Sequence, residues 1–214
     1  MNDYSTSGIV SVIDDDPEVR RAIGNLLRAS GHAVSLYEST ASYSAAAGDT
    51  PSCLLLDVRL SGESGLDFQT QLAERGDMTP VVLITGHGDI PMTVRGMRAG
   101  AIDFLPKPFE DEQLLQAVAS ALDADRRRLA EAAGNAEIEA CYAQLTAREK
   151  EVMALVVTGL MNKQVAARLE LSEITVKIHR GNVMRKMAAQ SLADLVRMAE
   201  QLGVRDATIR RYNI

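Results

Sequence analysis

Two patterns of apolar residues alternate along the first half of the chain. Short continuous apolar runs are separated by segments in which apolar residues recur every three or four positions. A continuous run suits a strand that is covered on both faces, and the longer period suits a helix. The predicted strands lie at about residues 9–13, 33–37, 53–58, 81–84 and 102–105. Strands that alternate with helices favour a parallel α/β sheet.

Four of these strands end in side chains that can hold a phosphoryl anion or a metal ion. In chain order they are Asp14 with Asp15, Asp57, Thr85 and Lys107. The carboxyl ends of the strands form the edge at which open α/β sheets bind ligands. Adjacent carboxylates repel each other unless a cation lies between them, and oxygen ligands of this kind suit Mg²⁺. The pattern predicts a phosphate-accepting switch with Asp57 as the acceptor and Mg²⁺ as the cofactor.

Neighbouring residues have simpler explanations. Asp16 can cap a helix that begins at Pro17 and ends before Gly31, so capping accounts for Asp16 without accounting for Asp14 or Asp15.

The segment Leu60–Gly65 is rich in glycine and serine and is predicted to be a loop. His87 lies between two glycines with no second imidazole nearby, which favours an exposed loop residue over a ligand.

Charge is distributed unevenly along the chain. Residues 1–122 contain 8 basic and 17 acidic side chains, whereas residues 145–214 contain 12 basic and 7 acidic ones, within a total net charge of -6. Residues 123–144 are mostly polar or small and are predicted to form a helical linker with a break near Gly134. The basic C-terminal part points to nucleic acid as a partner, although a mixed solvated surface gives a similar count.

The basic part contains the start signals of three helices. Thr146 and Glu149 fit a capping box, Asn162 can cap a helix over residues 163–169, and Ser172 can cap a third helix that continues to about Met187. Two short helices joined by a tight turn are typical of a helix-turn-helix.

The third helix has two distinct faces. At 100° per residue, Val176, Val183 and Met187 fall in one wedge and are predicted to face the core. An exposed apolar residue beside cations and a glycine suits the major groove, where lysine reaches guanine and an aliphatic group meets a thymine methyl. The predicted DNA contacts are Lys163, Thr175, Lys177, Ile178, His179, Gly181, Asn182 and Arg185. An ordinary amphipathic helix is the alternative.

Several classes of function are disfavoured. Cys53 and Cys141 are far apart with no metal-ligand spacing, so neither a zinc site nor a disulfide framework is predicted, and Cys53 is expected to be a buried apolar residue. No apolar run approaches the roughly 18 residues of a membrane span, so we expect a soluble, cytoplasmic protein with no membrane partner. A dehalogenase-like phosphatase needs a carboxylate two residues after Asp57; Arg59 stands there, which argues against an enzyme.

Residues 8 to about 122 resemble the receiver domain of two-component response regulators. The resemblance rests on four motifs: Ile13-Asp14-Asp15-Asp16, Leu56-Asp57, Ile84-Thr85-Gly86 and Lys107-Pro108-Phe109. It implies a flavodoxin-like α/β fold with a five-stranded parallel sheet of order 2-1-3-4-5. It also implies that a sensor histidine kinase transfers a phosphoryl group from its phosphohistidine to Asp57.

The resemblance also implies roles for the residues around the acceptor. Asp15, Asp57 and the backbone carbonyl of Arg59 are expected to bind Mg²⁺, with Asp14 acting through water. Lys107, preceding a cis peptide bond to Pro108, is expected to pair with the phosphoryl oxygens; Thr85 is expected to hydrogen-bond them and Phe104 to change rotamer. The chain departs from the family at Leu60-Ser61, where Met-Pro is usual, which predicts a looser loop and leaves the lifetime of the phosphoryl group open.

Residues 143–202 resemble the LuxR/NarL-type DNA-binding domain. The motifs are Leu145–Val152, Asn162–Ala166 and Thr175–Arg180, and the segment Thr85–Met92 of the first half is similar to the FixJ subfamily. Glu170 and Ala188 stand where the family commonly has glycine. A residue other than glycine in the left-handed conformation costs roughly 1 kcal/mol, so we expect a slightly less stable domain.

Together these observations predict a phosphorylation-controlled transcription regulator. Its parts are a receiver at residues 1–122, a helical linker at 123–144 and a small all-α helix-turn-helix domain at 145–214. We expect a homodimer on phosphorylation, binding to double-stranded promoter DNA and contact with RNA polymerase. The alternative is a DNA-binding protein whose receiver is a passive interaction module.

Overall fold

The computed structural model describes residues 8–46, 50–86 and 90–204. The chain divides into two compact units, Met1–Leu129 and Ala130–Ile214. His87, predicted to be an exposed loop residue, lies outside the described residues.

The first unit is an α/β fold built on a parallel sheet. Its elements are β1 Ile9–Ile13, α1 Pro17–Ala29, β2 Ala33–Tyr37, α2 Thr40–Ala45, β3 Cys53–Asp57, β4 Arg59–Leu60, β5 Glu63–Ser64, α3 Gly65–Glu74, β6 Val81–Thr85, α4 Ile90–Arg98, β7 Asp103–Pro106 and the start of α5, Asp111–Ala143. The sheet has the order β2-β1-β3-β6-β7, and all its strand pairs are parallel. Strands β4 and β5 form a separate pair. When they are left out, β6 and β7 are the fourth and fifth main strands, and the sheet has the predicted order 2-1-3-4-5.

Alternate residues of the central strands enter two cores. Val12 and Leu55 pack with residues of α1 and α5, whereas Leu54 and Leu56 pack with residues of α3. Every residue of β3 is buried, as its continuous apolar run predicts. Cys53 is also fully buried, as predicted, and burial, with a smaller effect from Asp125, raises the pKa of its thiol to about 12. Its thiol is therefore protonated near neutral pH.

The segment after the acceptor strand is more ordered than its composition predicts. Instead of a loop, residues 59–64 form an antiparallel pair in which Arg59 lies opposite Ser64 and Leu60 opposite Glu63. Gly62, the second residue of the turn, has a φ of 86°, a left-handed conformation that glycine adopts without a steric penalty. The Thr40 hydroxyl donates a hydrogen bond to the Glu63 carboxylate. The predicted loop is thus a hairpin tied to α2.

Helix α5 is continuous from Asp111 to Ala143, so the predicted break near Gly134 is wrong. A helix-interior glycine costs only about 0.5–1 kcal/mol relative to alanine, and alanines surround Gly134 in the sequence. The first turns of α5, including Leu114 and Val118, belong to the core of the first unit. Its last turns, including Tyr142, pack against the core of the second unit.

Up to residue 204, where the description of the second unit ends, it contains four further helices. They are α6 Ala147–Val156, α7 Asn162–Leu169, α8 Glu173–Lys186 and α9 Leu192–Gln201. Thr146 and Glu149 form the predicted capping box, and Ser172 caps α8 as predicted. Asn162 is not the cap of α7: it is the first helical residue, and its Oδ1 accepts a hydrogen bond from Arg180 at 3.2 Å.

An ion pair ties the start of α6 to the end of α8. The Lys186 Nζ donates to Glu149 Oε2 at 2.7 Å and to the Gln144 carbonyl at 3.2 Å. The contact with Lys186, followed by the backbone hydrogen bond from Thr146, lowers the pKa of the Glu149 carboxyl. The buried carboxylate thus has both a charged partner and a capping role. This arrangement fixes α8 against α6.

Glu170 and Ala188, which stand where the family commonly has glycine, occupy backbone conformations that favour glycine. Glu170 has φ 54° and ψ 45° at the end of α7, and Ala188 has φ 52° after α8. Both residues therefore adopt the left-handed conformation, as predicted. The tight turn of the helix-turn-helix forms despite its strain.

Replacing Glu170 by glycine should stabilise the second unit by about 1 kcal/mol, because glycine adopts this conformation without a steric penalty. Urea unfolding followed through the amide NMR signals of α7 and α8 measures the change in this unit alone. Ala167→Gly, at an exposed position inside α7, is the matched control and should destabilise the unit by up to about 1 kcal/mol. Equal destabilisation by both changes would contradict the strain at Glu170.

Candidate phosphoacceptor site and candidate DNA interface

The carboxyl edge of the sheet gathers the predicted acidic and basic side chains. Asp14 and Asp15 follow β1, Asp57 ends β3, Thr85 ends β6 and Lys107 follows β7. One ligand atom from each of the three aspartates lies within 4.8 Å of the others. The parallel direction of the strands is the cause, since it brings all these strand ends to one edge.

Lys107 connects two of the three carboxylates. Its Nζ lies 2.7 Å from Asp14 Oδ2 and 2.6 Å from Asp57 Oδ2. Burial alone would lower the pKa of Lys107, but the hydrogen bonds to Asp14 and Asp57 outweigh burial, so its pKa is raised. Burial raises the pKa of Asp14, against the opposing contact with Lys107. Lys107 therefore stays charged and partly neutralises the cluster.

Three further oxygens of these carboxylates accept hydrogen bonds from neighbouring groups. Asp14 Oδ1 accepts from the Asp16 backbone N–H at 2.9 Å, and Asp57 Oδ1 accepts from the Arg59 backbone N–H at 2.8 Å. Asp15 Oδ2 accepts from the Ser61 hydroxyl at 2.6 Å. The contact with Ser61 was not predicted, because the two residues are far apart in sequence and belong to different elements.

The side chain of Asp16 turns away to cap α1, as predicted. It accepts hydrogen bonds from the backbone N–H groups of Glu18 and Val19. These contacts lower the pKa of its carboxyl. Asp16 is therefore a structural member of the acidic run, distinct from the three aspartates that converge.

The two predicted switch residues lie on the neighbouring strands. Thr85 is fully buried, and its backbone carbonyl accepts from the Lys107 N–H at 2.7 Å. Phe104 is half-buried, lies beside Leu83 on the adjacent strand and packs against the core on the α3 face. The peptide bond between Lys107 and Pro108 is cis, as predicted.

The donor set fits a small, hard cation. Three carboxylates offer only oxygen ligands, which Mg²⁺ prefers, and one ammonium does not balance their charge. Such a cluster of acidic residues suits Mg²⁺. Asp14, Asp15 and Asp57 are the side chains that could hold the ion.

Helix α8 presents an exposed face of mixed character. Val176, Val183 and Met187 are buried, as predicted. On the opposite side Ile174 is 73% exposed and Ile178 is 60% exposed. The other predicted contact residues on this side of α8 or at its edges are Lys177, Gly181 and Arg185, which are exposed, and Thr175 and Asn182, which are half-buried.

Two predicted contact residues differ from the others in helix or in burial. Lys163 is exposed but belongs to α7. His179 is half-buried, and its Nδ1 is buried without a hydrogen-bond partner among the described residues. The helical pattern also places His179 near Val183, on the core side. Most of the predicted contact residues of α8 thus share one exposed surface, and His179 lies nearer the buried side of the helix.

Within residues 8–46, 50–86 and 90–204, no helix is both long and apolar enough to cross a membrane.

Family models match both units. The response regulator receiver domain matches residues 10–119, and the luxR family of bacterial regulatory proteins matches residues 143–199. A receiver domain implies a histidine kinase as partner, and a luxR-family domain implies binding to DNA.

Relatives align along nearly the whole chain. Nodulation protein W of Bradyrhizobium diazoefficiens is 53% identical over 201 residues, which cover 94% of this chain and 88% of the relative. Response regulator protein TodT of Pseudomonas putida is 42% identical over 201 residues, covering 92% and 87%. Transcriptional regulatory protein FixJ of Rhizobium meliloti is 39% identical over 200 residues, covering 93% and 96%.

Solved structures of response regulators also align with this chain. The response regulator StyR is 43% identical with a TM-score of 0.77, covering 92% of this chain and 100% of StyR. Full-length FixJ from B. japonicum is 35% identical with a TM-score of 0.57, covering 94% and 100%. The chain therefore belongs to the FixJ-like, LuxR-type response regulators, a family of phosphorylation-dependent transcription regulators rather than enzymes.

Proposed function

We propose that Asp57 is the phosphoacceptor through which a histidine kinase controls DNA binding by this protein. A carboxylate oxygen of Asp57 attacks the phosphorus of a phosphohistidine; the new O–P bond forms as the N–P bond breaks, and the imidazole leaves with the bonding electron pair. The observation that supports this assignment is the Lys107 ammonium held between Asp14 and Asp57. It provides positive charge where the anion would arrive.

Phosphoryl transfer depends mainly on positioning and charge neutralisation. Asp14, Asp15, Asp57 and the backbone carbonyl of Arg59 would hold Mg²⁺, and the ion would supply positive charge to neutralise the transferred group. Lys107 would exchange part of its contact with Asp57 for the phosphoryl oxygens. Because the carboxylate cluster repels an incoming anion, phosphoryl transfer to it needs both Mg²⁺ and the Lys107 ammonium.

Thr85 and Phe104 would carry the signal away from Asp57. We propose that the Thr85 hydroxyl hydrogen-bonds the phosphoryl group and that Phe104 changes rotamer in response. The affected surface would run from Pro91 to Leu105. It includes the exposed apolar side chains of Val94 and Met97 on α4, and Ile90, just before this range, is 80% exposed. An apolar surface of this kind suits a second copy of the chain, so we propose that phosphorylation promotes a homodimer.

Helix α8 would read promoter DNA in the major groove. The exposed Ile178 would contact a thymine methyl, Lys177 would reach guanine, and Gly181 would allow close approach. One short recognition helix gives limited specificity, so two copies spaced about one DNA turn apart would form the specific complex. The bound dimer would then contact RNA polymerase at the promoter, in the cytoplasm. Residues 123–144 would link the phosphorylated and DNA-binding domains.

Asp57→Asn should abolish labelling by acetyl phosphate, because the amide is not a nucleophile for this transfer. Removing Mg²⁺ with EDTA should abolish labelling of the wild type, since the carboxylates then repel the incoming anion. Phosphate-affinity electrophoresis measures the labelled fraction. Asp16→Asn is the matched control and should label normally, because Asp16 caps α1 and asparagine caps equally well. Label on the Asp57→Asn protein would refute the assignment.

Lys177→Ala should weaken binding to a specific site by about 1–3 kcal/mol through the loss of a base contact. It should leave dimer formation unchanged, because Lys177 is an exposed residue of α8. Genomic footprinting supplies the site, and fluorescence anisotropy at fixed salt gives the affinity. Arg197→Ala removes the same charge from α9, where Arg197 pairs with Asp194, and should have little effect. Equal losses from both changes would point to a general effect of charge.

Phosphorylated protein should sediment as a larger fraction of dimer than unphosphorylated protein and should bind an inverted-repeat site more tightly. Val94→Asp places a charge on the exposed apolar face of α4 and should keep the phosphorylated protein monomeric. Equal dimer fractions with and without phosphorylation, together with tighter DNA binding, would place control in release of the DNA-binding domain by residues 123–144. Equal DNA affinities in both states would favour a passive receiver.

A further inference from the structure

The turn of the hairpin after the acceptor strand lies against the acidic cluster. Ser61 occupies this turn, between β4 and β5, and its hydroxyl donates to Asp15 Oδ2 at 2.6 Å. Lys107 contacts the other two aspartates, Asp14 and Asp57. The hydroxyl of Ser61 therefore complements the ammonium: each holds a different part of the cluster.

The position of this hydroxyl is set by the surrounding structure. The hairpin begins at Arg59, whose backbone N–H donates to Asp57, and ends before Gly65, whose N–H donates to the Val58 carbonyl at 2.9 Å. A β-carbon on Gly65 would lie only 2.1 Å from the Asp57 carbonyl oxygen. The hairpin is thus packed closely on the end of β3. Its turn, with Ser61, is held at the edge of the cluster.

A hydrogen bond to one carboxylate oxygen restrains Asp15. It fixes the rotation of the carboxylate, so less rotational freedom is lost when a cation binds. Groups that hydrogen-bond to metal ligands orient them in this way, and removing such a group typically weakens metal binding 10- to 100-fold.

We propose that Ser61 is a positioning residue that increases the affinity of the acidic cluster for Mg²⁺ by holding the Asp15 carboxylate. The proposal rests on the proposed Mg²⁺ site. Related receivers usually have proline at this position, and proline has no hydroxyl to donate. Ser61 thus gives this chain a contact that the usual sequence lacks.

The test is a Mg²⁺ titration of unphosphorylated, ¹⁵N-labelled full-length protein, followed through the amide signals around Asp15 and Asp57. We expect Ser61→Ala to weaken Mg²⁺ binding by about tenfold. Ser61→Thr keeps a hydroxyl at this position and should therefore keep most of the wild-type affinity for Mg²⁺. Because the readout is binding to unphosphorylated protein, it does not depend on transfer of a phosphoryl group.

Thr40→Val is the control for a merely structural role of Ser61. It removes the hydrogen bond that ties the hairpin to α2 through Glu63 without altering the contact with Asp15, and it should leave Mg²⁺ affinity unchanged. Unchanged affinity in Ser61→Ala, or equal losses in Ser61→Ala and Thr40→Val, would overturn the proposal. A wild type that binds no Mg²⁺ would overturn the metal site itself, and the role of Ser61 with it.

Discussion

The organisation of the first unit depends on the repulsion among three carboxylates at one edge of a parallel sheet. Parallel strands deliver Asp14, Asp15 and Asp57 to that edge, where their ligand atoms lie within 4.8 Å of each other. In a medium less polar than water such proximity is unfavourable unless positive charge and hydrogen-bond donors compensate it. Lys107 and backbone N–H groups supply that compensation. The same requirement makes the site receptive to a cation.

This balance of charge also bears on the proposed switch. Lys107 has two carboxylate partners, and a phosphoryl group on Asp57 would replace one of them with a more highly charged anion. The change would fall beside Thr85 and next to the strand that carries Phe104. Buried side chains at the ends of packed strands cannot move independently, because interiors are close-packed. A local change of charge is therefore well placed to alter the surface of α4 and β7.

The second unit follows a different principle. Its core is built from local helical patterns and capping residues, and its exposed face is chemically unfavourable as a simple solvated surface. Ile174 and Ile178 are exposed on the helix that also carries Lys177 and Arg185. The turn before this helix retains Glu170 in a left-handed conformation. Both features reduce stability slightly, and the exposed face is what a DNA-reading helix requires.

The sequence by itself determined the five main strands, the sheet order through its resemblance to receivers, and the convergence of Asp14, Asp15, Asp57, Thr85 and Lys107. The strands follow from short apolar runs, and the convergence follows from the rule that parallel strands end at one edge. The same local signals identified the caps at Asp16, Thr146 and Ser172, and the buried wedge of α8.

Only the tertiary structure decided the features that depend on packing between distant residues. The sequence indicated a loop after Asp57, whereas contacts with α2 and Asp15 order it as a hairpin and bring Ser61 to the acidic cluster. It indicated a break near Gly134, but helix formation across the surrounding alanines outweighs the modest cost of one glycine. It placed His179 among the groove contacts, and the structure adds that this residue is half-buried with its Nδ1 out of solvent. Local patterns report the preference of a segment, and long-range contacts decide between preferences of similar energy.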